Sequence, residues 1–332
     1  MKILLAGGAG YIGSHTAVAL LQSGYDVVIL DNYDNSSPES VKRVEELSGK
    51  TVSVYEADAA DKATVLKIMK QEKPDCIIHF AGLKAVGESI NQPLRYYRNN
   101  IDTTLTLLEC MAQTSCKKIV FSSTCAVYGN PQYLPLDENH PKNPINPYGE
   151  TKNQVEEILK VYDNKYGLKS VILRYFNASG ADSEARIGEW HNPETHLIPN
   201  ILKSVLNEGK VFKIFGDDYD TPDGTCVRDY VNVEDMAIAH RKAYEYLKNG
   251  NESNIFNIGT ADGYSVKEVF KTAQKVTEKQ IHYEQCARRA GDSAKLTANT
   301  EKAKNILGWQ SQKTLEDSIK SAFEWEKKLA KL

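Results

Sequence analysis

Lys2-Ile3-Leu4-Leu5-Ala6-Gly7-Gly8-Ala9-Gly10-Tyr11-Ile12-Gly13 runs from a short apolar segment into a cluster of glycines, and Ala17, Val18, Leu20 and Leu21 continue it at helical spacing. Gly7, Gly10 and Gly13 give the pattern G-x-x-G-x-x-G between a strand and a helix. That spacing permits a tight turn, close approach of the backbone to a pyrophosphate and close helix packing, with the helix N-terminus facing the phosphates. Asp31 ends the next apolar run, Val27-Val28-Ile29-Leu30, 18 residues beyond Gly13. A carboxylate there accepts hydrogen bonds from the adenosine ribose hydroxyls and repels a 2′-phosphate, so the pattern predicts NAD rather than NADP.

Outward from this stretch, short β-branched runs alternate with helical segments: Ile3 to Ala6, Val27 to Leu30, Val52 to Tyr55, Cys76 to Phe80 and Ile119 to Phe121. Such alternation is the signature of βαβ units, and near-continuous apolar runs fit parallel strands covered on both faces. Pro147 opens another helix, with Val155, Ile158, Leu159 and Tyr162 on one stripe, followed by a strand at Ser170 to Leu173. Beyond about residue 177 the rhythm is lost among Pro193, Pro199, Pro222 and the Gly/Asp-rich stretch Gly216 to Gly224. Ile255 to Gly259 reads as one more buried strand returning to the sheet, and Leu315, Ile319, Ala322 and Phe323 mark a final surface helix. The expectation is an α/β chain: a Rossmann-type doubly wound parallel sheet over 1–177, with 231–260 returning to it, and a smaller α/β substrate domain over 178–332.

A chain of 332 residues has ample material for a packed core, and 41 Lys+Arg against 44 Asp+Glu leave a net charge of −3. There is no basic excess to neutralise nucleic acid or an anionic membrane, so neither is expected as a partner. No stretch approaches the roughly 20 apolar residues needed to cross a bilayer, and the N-terminal apolar run is too short for a signal peptide. A cytoplasmic protein is expected. The six cysteines, Cys76, Cys110, Cys116, Cys125, Cys226 and Cys286, form no C-x-x-C pair, and free, mostly buried thiols rather than a zinc ribbon or disulfide framework follow. No metal site is read.

Tyr148 and Lys152 stand four residues apart at the start of the helix after Pro147 and therefore share one face. A lysine ammonium near a phenol favours the phenolate, and a positively charged nicotinamide favours it further, so the pair is expected to act as a general base near neutral pH. Ser122-Ser123-Thr124, at the end of the fifth strand, puts hydroxyls where they can reach the same substrate oxygen. Asp58-Ala59 and Phe80 to Lys84 also follow strand ends, the side on which open α/β sheets bind ligands.

The glycine motif, the Thr124…Tyr148-x-x-x-Lys152 set and Arg174-Tyr175-Phe176-Asn177 resemble the extended short-chain dehydrogenase/reductase family. Within it the chain resembles the UDP-glucose (UDP-galactose) 4-epimerases over nearly its whole length. Gly10 to Thr16, His79 to Ser89, Phe215 to Tyr219 and Asp223 to Tyr230 carry that likeness. The resemblance implies that Tyr148, helped by Thr124, removes the proton of the sugar 4-hydroxyl while the C4 hydride moves to tightly held NAD. The 4-keto sugar then turns over and takes the hydride back on its other face. It further implies that Gly7, Gly10, Tyr11, Ile12, Gly13, Asp31, Asn32, Tyr33, Asp34, Asn35, Ser36, Asp58, Ala59, Phe80, Ala81, Gly82, Leu83, Lys84, Asn99, Thr124, Tyr148, Lys152 and Phe176 line NAD. Lys84, Thr124, Tyr148, Asn177, His196, Leu197, Phe215, Arg228, Arg289 and Asp292 are implied for the UDP-sugar, the two arginines on its pyrophosphate. His196 stands where many members carry Asn.

The same likeness implies a homodimer formed by the helix after Pro147 and the one around Thr103 to Met111. It also places Leu296 against the sugar 2-substituent, where enzymes confined to UDP-glucose and UDP-galactose carry Tyr. The smaller leucine leaves room for an N-acetyl group, so activity on UDP-GlcNAc and UDP-GalNAc is expected as well. Two rivals are weighed. A 4,6-dehydratase needs carboxylates just after the threonine, where this chain has Cys125 and Ala126. A catalytically silent NAD-sensing regulator is expected to have lost part of the Thr124, Tyr148, Lys152 set, all of which is present.

Overall fold

The computed structural model describes every residue except Asn192, 208–210, Ala290 and Leu332. The βαβ rhythm holds through the first half: β1 (Lys2–Ala6), α1 (Tyr11–Gln22), β2 (Asp26–Asp31), α2 (Pro38–Ser48), β3 (Ser53–Glu56), α3 (Lys62–Glu72), β4 (Cys76–His79), α4 (Val86–Asn91), α5 (Pro93–Ala112), β5 (Lys118–Thr124), α6 (Pro147–Tyr166) and β6 (Lys169–Tyr175). The second half is built of shorter strands, β7 (Asn177–Ser179), β8 (Phe212–Phe215), β9 (Val227–Arg228), β10 (Tyr230–Asn232), β11 (Asn254–Ile258), β12 (Tyr264–Ser265), β13 (Tyr283–Cys286) and β14 (Lys295–Leu296). Its helices are α7 (Leu197–Leu206), α8 (Val233–Lys248), α9 (Val266–Thr277) and α10 (Leu315–Leu329).

Seven strands form one parallel sheet in the order β11-β6-β5-β4-β1-β2-β3. The strand anticipated at Ile255 does return to the sheet, pairing Phe256 with Leu173 on β6. Strand order reverses between β1 and β4, which opens a crevice at their carboxyl ends. Ile3, Leu5, Val27 and Ile29 pack one face against α1 and α8, and Leu4, Val28, Ile77 and Phe121 pack the other against α3, α5 and α6. A separate core gathers Ile198, Leu202, Ile214, Phe270 and Ile319 from α7, β8, α9 and α10. Ala303, Leu307 and Trp309 cross back onto the first core, where Trp309 Nε1 donates to Asp235 O at 2.8 Å.

Among the described residues no helix is long and apolar enough to cross a membrane. All six cysteines are free, and all but Cys286 are buried.

Candidate active site

The glycine turn is as tight as its spacing implies. Gly7 sits at φ +78°, and a Cβ there would lie 2.6 Å from Ala81 N, so the loops after β1 and β4 meet backbone to backbone. A Cβ on Gly13 would lie 2.5 Å from Gly7 O, which only a glycine on the first turn of α1 avoids. Gly10, the residue before α1, offers no side-chain cap, whereas α2, α3 and α6 are capped by Ser37, Asp61 and Asn146 respectively. The first N–H groups of α1 are thus left for an anion, as at a phosphate-binding helix terminus.

Asp31 is buried at the end of β2. Its Oδ2 accepts from Ala9 N at 2.9 Å, and its Oδ1 from Tyr33 N at 3.0 Å and Ser36 Oγ at 2.8 Å. The carboxylate therefore braces the glycine turn, and its remaining lone pairs are available to ribose hydroxyls. This cradle, the uncapped helix terminus and the acid fit an NAD adenosine diphosphate. Asn32, Asp34 and Asn35 form the loop beyond, where Asp34 N donates to Asn32 Oδ1 at 3.1 Å and Asp34 pairs with Arg95. Asp58 caps a turn before α3 by accepting from Ala60 N at 2.8 Å.

Thr124, Tyr148 and Lys152 converge. Asn146 caps α6 by accepting from Gly149 N at 2.8 Å, and Pro147 fills its first position. A Cβ on Gly149 would lie 2.7 Å from Ala126 O, so α6 is seated directly on the turn after β5. Tyr148 then stands beside the Thr124 hydroxyl, which works to lower its phenol. Lys152 Nζ donates to Ser122 O at 3.0 Å and lies 4.7 Å from the centre of the Phe121 ring.

The electrostatics of the pair are set first by burial. Burial pushes the Tyr148 phenol up to about 12, against which the Thr124 hydrogen bond works in the opposite direction and Cys125 adds to the rise. Burial brings the Lys152 ammonium down to about 8. Desolvation disfavours both charged forms, so a base near neutral pH needs the positively charged nicotinamide that the expectation includes.

Asn100, which the sequence reading passed over for its neighbour Asn99, ties the catalytic helix to the β4 loop. Its Oδ1 accepts from Leu83 N at 2.7 Å and its Nδ2 donates to Thr151 Oγ1 at 3.0 Å, while Asn99 Oδ1 accepts from the same Leu83 N at 3.2 Å. A Cβ on Gly82 would lie 3.8 Å from Lys152 Nζ, which places Phe80 to Lys84 beside the base.

A buried ion pair, also missed, lies beneath. Arg174 Nε and Nη2 bond Glu156 Oε1 and Oε2 at 2.9 and 2.6 Å, and Ser123 Oγ donates to Glu156 Oε1 at 2.6 Å. Tyr148, Lys152 and Glu156 recur every fourth residue, a spacing that marks one helix face in the sequence.

On the other wall, β9 and β14 pair Arg228 with Leu296. Arg228 Nη2 lies 3.7 Å from Asp292 Oδ1, Arg289 Nε donates to Asp292 Oδ2 at 3.0 Å, and the Arg289 guanidinium stands over Phe215 at 5.2 Å. Leu296 packs with Cys125, Val127, Tyr128 and Phe176, next to the turn that follows Thr124. Asn177 is exposed on β7, where its N–H donates to Asp229 O at 2.9 Å. Ala290, between the two arginines and Asp292, lies outside the described residues.

His196 and Lys84 take partners not expected of them. His196 precedes Leu197 at the start of α7 and turns Nδ1 onto Glu189, and Lys84 Nζ lies 2.8 Å from His191 Nε2. Glu189-Trp190-His191 and Glu194-Thr195-His196 crowd four metal- or proton-binding side chains into eight residues, a signal the sequence reading treated as loop.

A glycine cradle at the switch point and a Tyr/Lys/Thr set at the next strand end define a dinucleotide-dependent enzyme of the short-chain dehydrogenase/reductase class. A family described as GDP-mannose 4,6 dehydratase matches residues 4–322. The UDP-glucose 4-epimerase of Rhizobium leguminosarum bv. trifolii is 47% identical over 98% of this chain and 97% of its own. The solved UDP-glucose 4-epimerase of Bifidobacterium longum, in complex with NAD+ and UDP, superposes with a TM-score of 0.95 at 42% identity, covering 99% of this chain and 98% of that one. A UDP-Glc/GlcNAc 4-epimerase from Campylobacter jejuni gives a TM-score of 0.85 at 41% identity, covering 98% and 99%. The chain belongs to this family, among its UDP-glucose 4-epimerases.

Proposed function

We propose that this chain inverts C4 of UDP-hexoses, interconverting UDP-glucose and UDP-galactose through a transient 4-keto sugar. The observation that carries the reading is the placing of Tyr148 beside Thr124 at the end of β5, with Lys152 held on Ser122 O beside the glycine cradle. Bound NAD supplies a hydride acceptor and donor for C4 and a cationic ring. Tyr148 accepts the proton of the sugar 4-hydroxyl and returns it, and Thr124 orients that hydroxyl. Because Tyr148 stands at about 12 in the chain by itself, with Lys152 already in place, it acts as a base only with the added positive charge that a bound nicotinamide would supply. Gly7, Gly10, Tyr11, Ile12, Gly13, Asp31 to Ser36, Asp58, Ala59, Phe80 to Lys84, Asn99 and Phe176 are assigned to the cofactor. Arg228, Arg289, Asp292, Phe215, Asn177, Leu197 and His196 are assigned to the UDP portion.

Elimination of water is not favoured. Cys125, where dehydratases place a carboxylic acid, is buried and pushed up to about 12, and Ala126 carries no proton. The site at Leu296 also supports the N-acetylated pair, UDP-GlcNAc and UDP-GalNAc, consistent with the 41% identity to the Campylobacter jejuni UDP-Glc/GlcNAc 4-epimerase.

The two separate cores support a division into a dinucleotide-binding domain, 1–177 with 231–260, and a sugar-nucleotide domain over most of 178–332. A homodimer through the outer faces of α5 and α6 accounts for Leu94, Val161 and Tyr166 standing exposed there. Free thiols support a cytoplasmic setting. The test is conversion of UDP-galactose to UDP-glucose by the purified, NAD-loaded chain, followed by anion-exchange chromatography. Recovery of unchanged UDP-galactose at any incubation time rejects the reading.

A further inference from the structure

From the side chains that converge between Tyr11, Lys84 and the start of α7, we infer a binding site for one divalent transition-metal ion of the zinc type, ligated by Glu189, His191, Glu194 and His196. One donor atom from each of the four lies within 4.8 Å of all the others. His191 Nδ1 is 2.8 Å from Glu189 Oε1 and 3.8 Å from Glu194 Oε2, and His196 Nδ1 presses on the same Glu189 oxygen. Four donors at about 2.1 Å from a tetrahedral zinc stand about 3.4 Å apart, so a shift of roughly 1 Å seats the ion.

The hydrogen bonding argues for the same occupant. Among the described residues eight buried side-chain polar atoms have no hydrogen-bond partner, and three of them are Glu189 Oε1, Glu194 Oε2 and His196 Nδ1. These atoms stand at ion-pair distance from one another without an aligned hydrogen bond, so the donors face a common point rather than pairing off cleanly. Two imidazoles with two carboxylates match zinc and its neighbours, whereas magnesium and calcium take oxygen donors almost entirely. Glu189, His191 and Glu194 are nearly inaccessible at their side chains, at 4%, 4% and 5%, and His196, at 34%, forms the open edge of the site.

Two lysines compete for this charge. Lys84 Nζ lies 2.8 Å from His191 Nε2 and 3.2 Å from Nδ1, and Lys203 Nζ lies 3.8 Å from Glu194 Oε2. Neither ammonium bonds a carboxylate of the cluster at hydrogen-bond distance, which leaves the carboxylates to the two imidazoles and to an ion. The ion would tie Glu189 and His191 to Glu194 and His196 ahead of α7, beside the bond that Trp325 Nε1 donates to Glu189 O at 2.7 Å.

The experiment uses the full, NAD-loaded chain stripped with chelator and reloaded with zinc chloride, then desalted. Elemental analysis should find one zinc per chain, isothermal titration a single saturable site, and thermal melting a higher midpoint with zinc than without. His191→Asn should lower the zinc affinity by more than about 100-fold, the upper end of what losing even an outer-shell partner costs. Glu194→Gln, a milder change, should do the same if the first variant folds poorly. Lys84→Ala, which removes the competing cation, should bind zinc at least as tightly as the parent. Absence of retained zinc in the parent, or equal zinc affinity in the parent and both ligand variants, overturns the site.

Discussion

Removing the Glu156 carboxylate probes how the fold holds the base in place. The carboxylate takes both arms of the Arg174 fork at 2.9 and 2.6 Å, the Ser123 hydroxyl at 2.6 Å and Lys142 Nζ at 3.3 Å, and the Arg174–Glu156 side chains are 2% and 1% exposed. Burial alone works against the charge on Arg174, and the Glu156 bonds more than offset it. Glu156→Ala leaves a buried guanidinium without its counter-ion, which costs about 3 to 5 kcal/mol. With an unfolding entropy of about 0.7 kcal/mol/K for a chain of this size, the melting midpoint falls by about 4 to 7 °C. Glu156→Gln keeps the volume but not the charge and should fall nearly as far. Lys142→Ala, which removes a half-exposed partner, should shift the midpoint by no more than about 1 °C. The assay is thermal melting of the NAD-loaded chain, with turnover measured in parallel because Ser123 adjoins Thr124. A midpoint for Glu156→Ala within about 1 °C of the parent refutes the argument.

Gly13→Ala places a Cβ 2.5 Å from Gly7 O, so the cradle must open and NAD affinity should drop at least about 10-fold by titration, with far-UV circular dichroism unchanged. Burial lowers His240 from 6.5 to about 4, so below pH 6.5 the unfolded chain takes up a proton that the folded chain refuses. That contribution is fully present above pH 6.5 and is lost, by roughly 3 kcal/mol, as the pH falls to 4. His240→Asn should therefore show a shallower loss of melting midpoint between pH 6.5 and 4 than the parent, and identical slopes would contradict the assignment. Leu296→Tyr fills the space beside Cys125 and Phe176 and should abolish conversion of UDP-GlcNAc while conversion of UDP-galactose persists, checked by chromatography of both reactions.

What could be read from the chain before folding was local. The glycine turn, Asp31 and the Tyr148/Lys152 pair are short-range patterns whose geometry follows from one strand and one helix, and the structure brings each set together. What could not be read depends on partners far apart in sequence. Lys84 meets His191 107 residues away, and Asn100 joins Leu83 to Thr151 51 residues beyond it. His196 was legible only through the family likeness, and its turn toward Glu189 is a packing outcome. The burial of Tyr148 was not legible for a related reason: spacing reports which groups are near, whereas the balance of forms depends on how much water is excluded, which only the packed site reveals.

The central claim is that Tyr148 drives inversion at C4 with the C4 hydrogen retained by the sugar. Incubation of the NAD-loaded chain with UDP-galactose in deuterium oxide, followed by proton NMR, tests it directly. The account predicts UDP-glucose carrying no solvent deuterium at C4 or C5, formed about 10² to 10⁴-fold more slowly by Tyr148→Phe. Deuterium at C4, deuterium at C5 with a 6-deoxy-4-keto product, or undiminished turnover in Tyr148→Phe would contradict it.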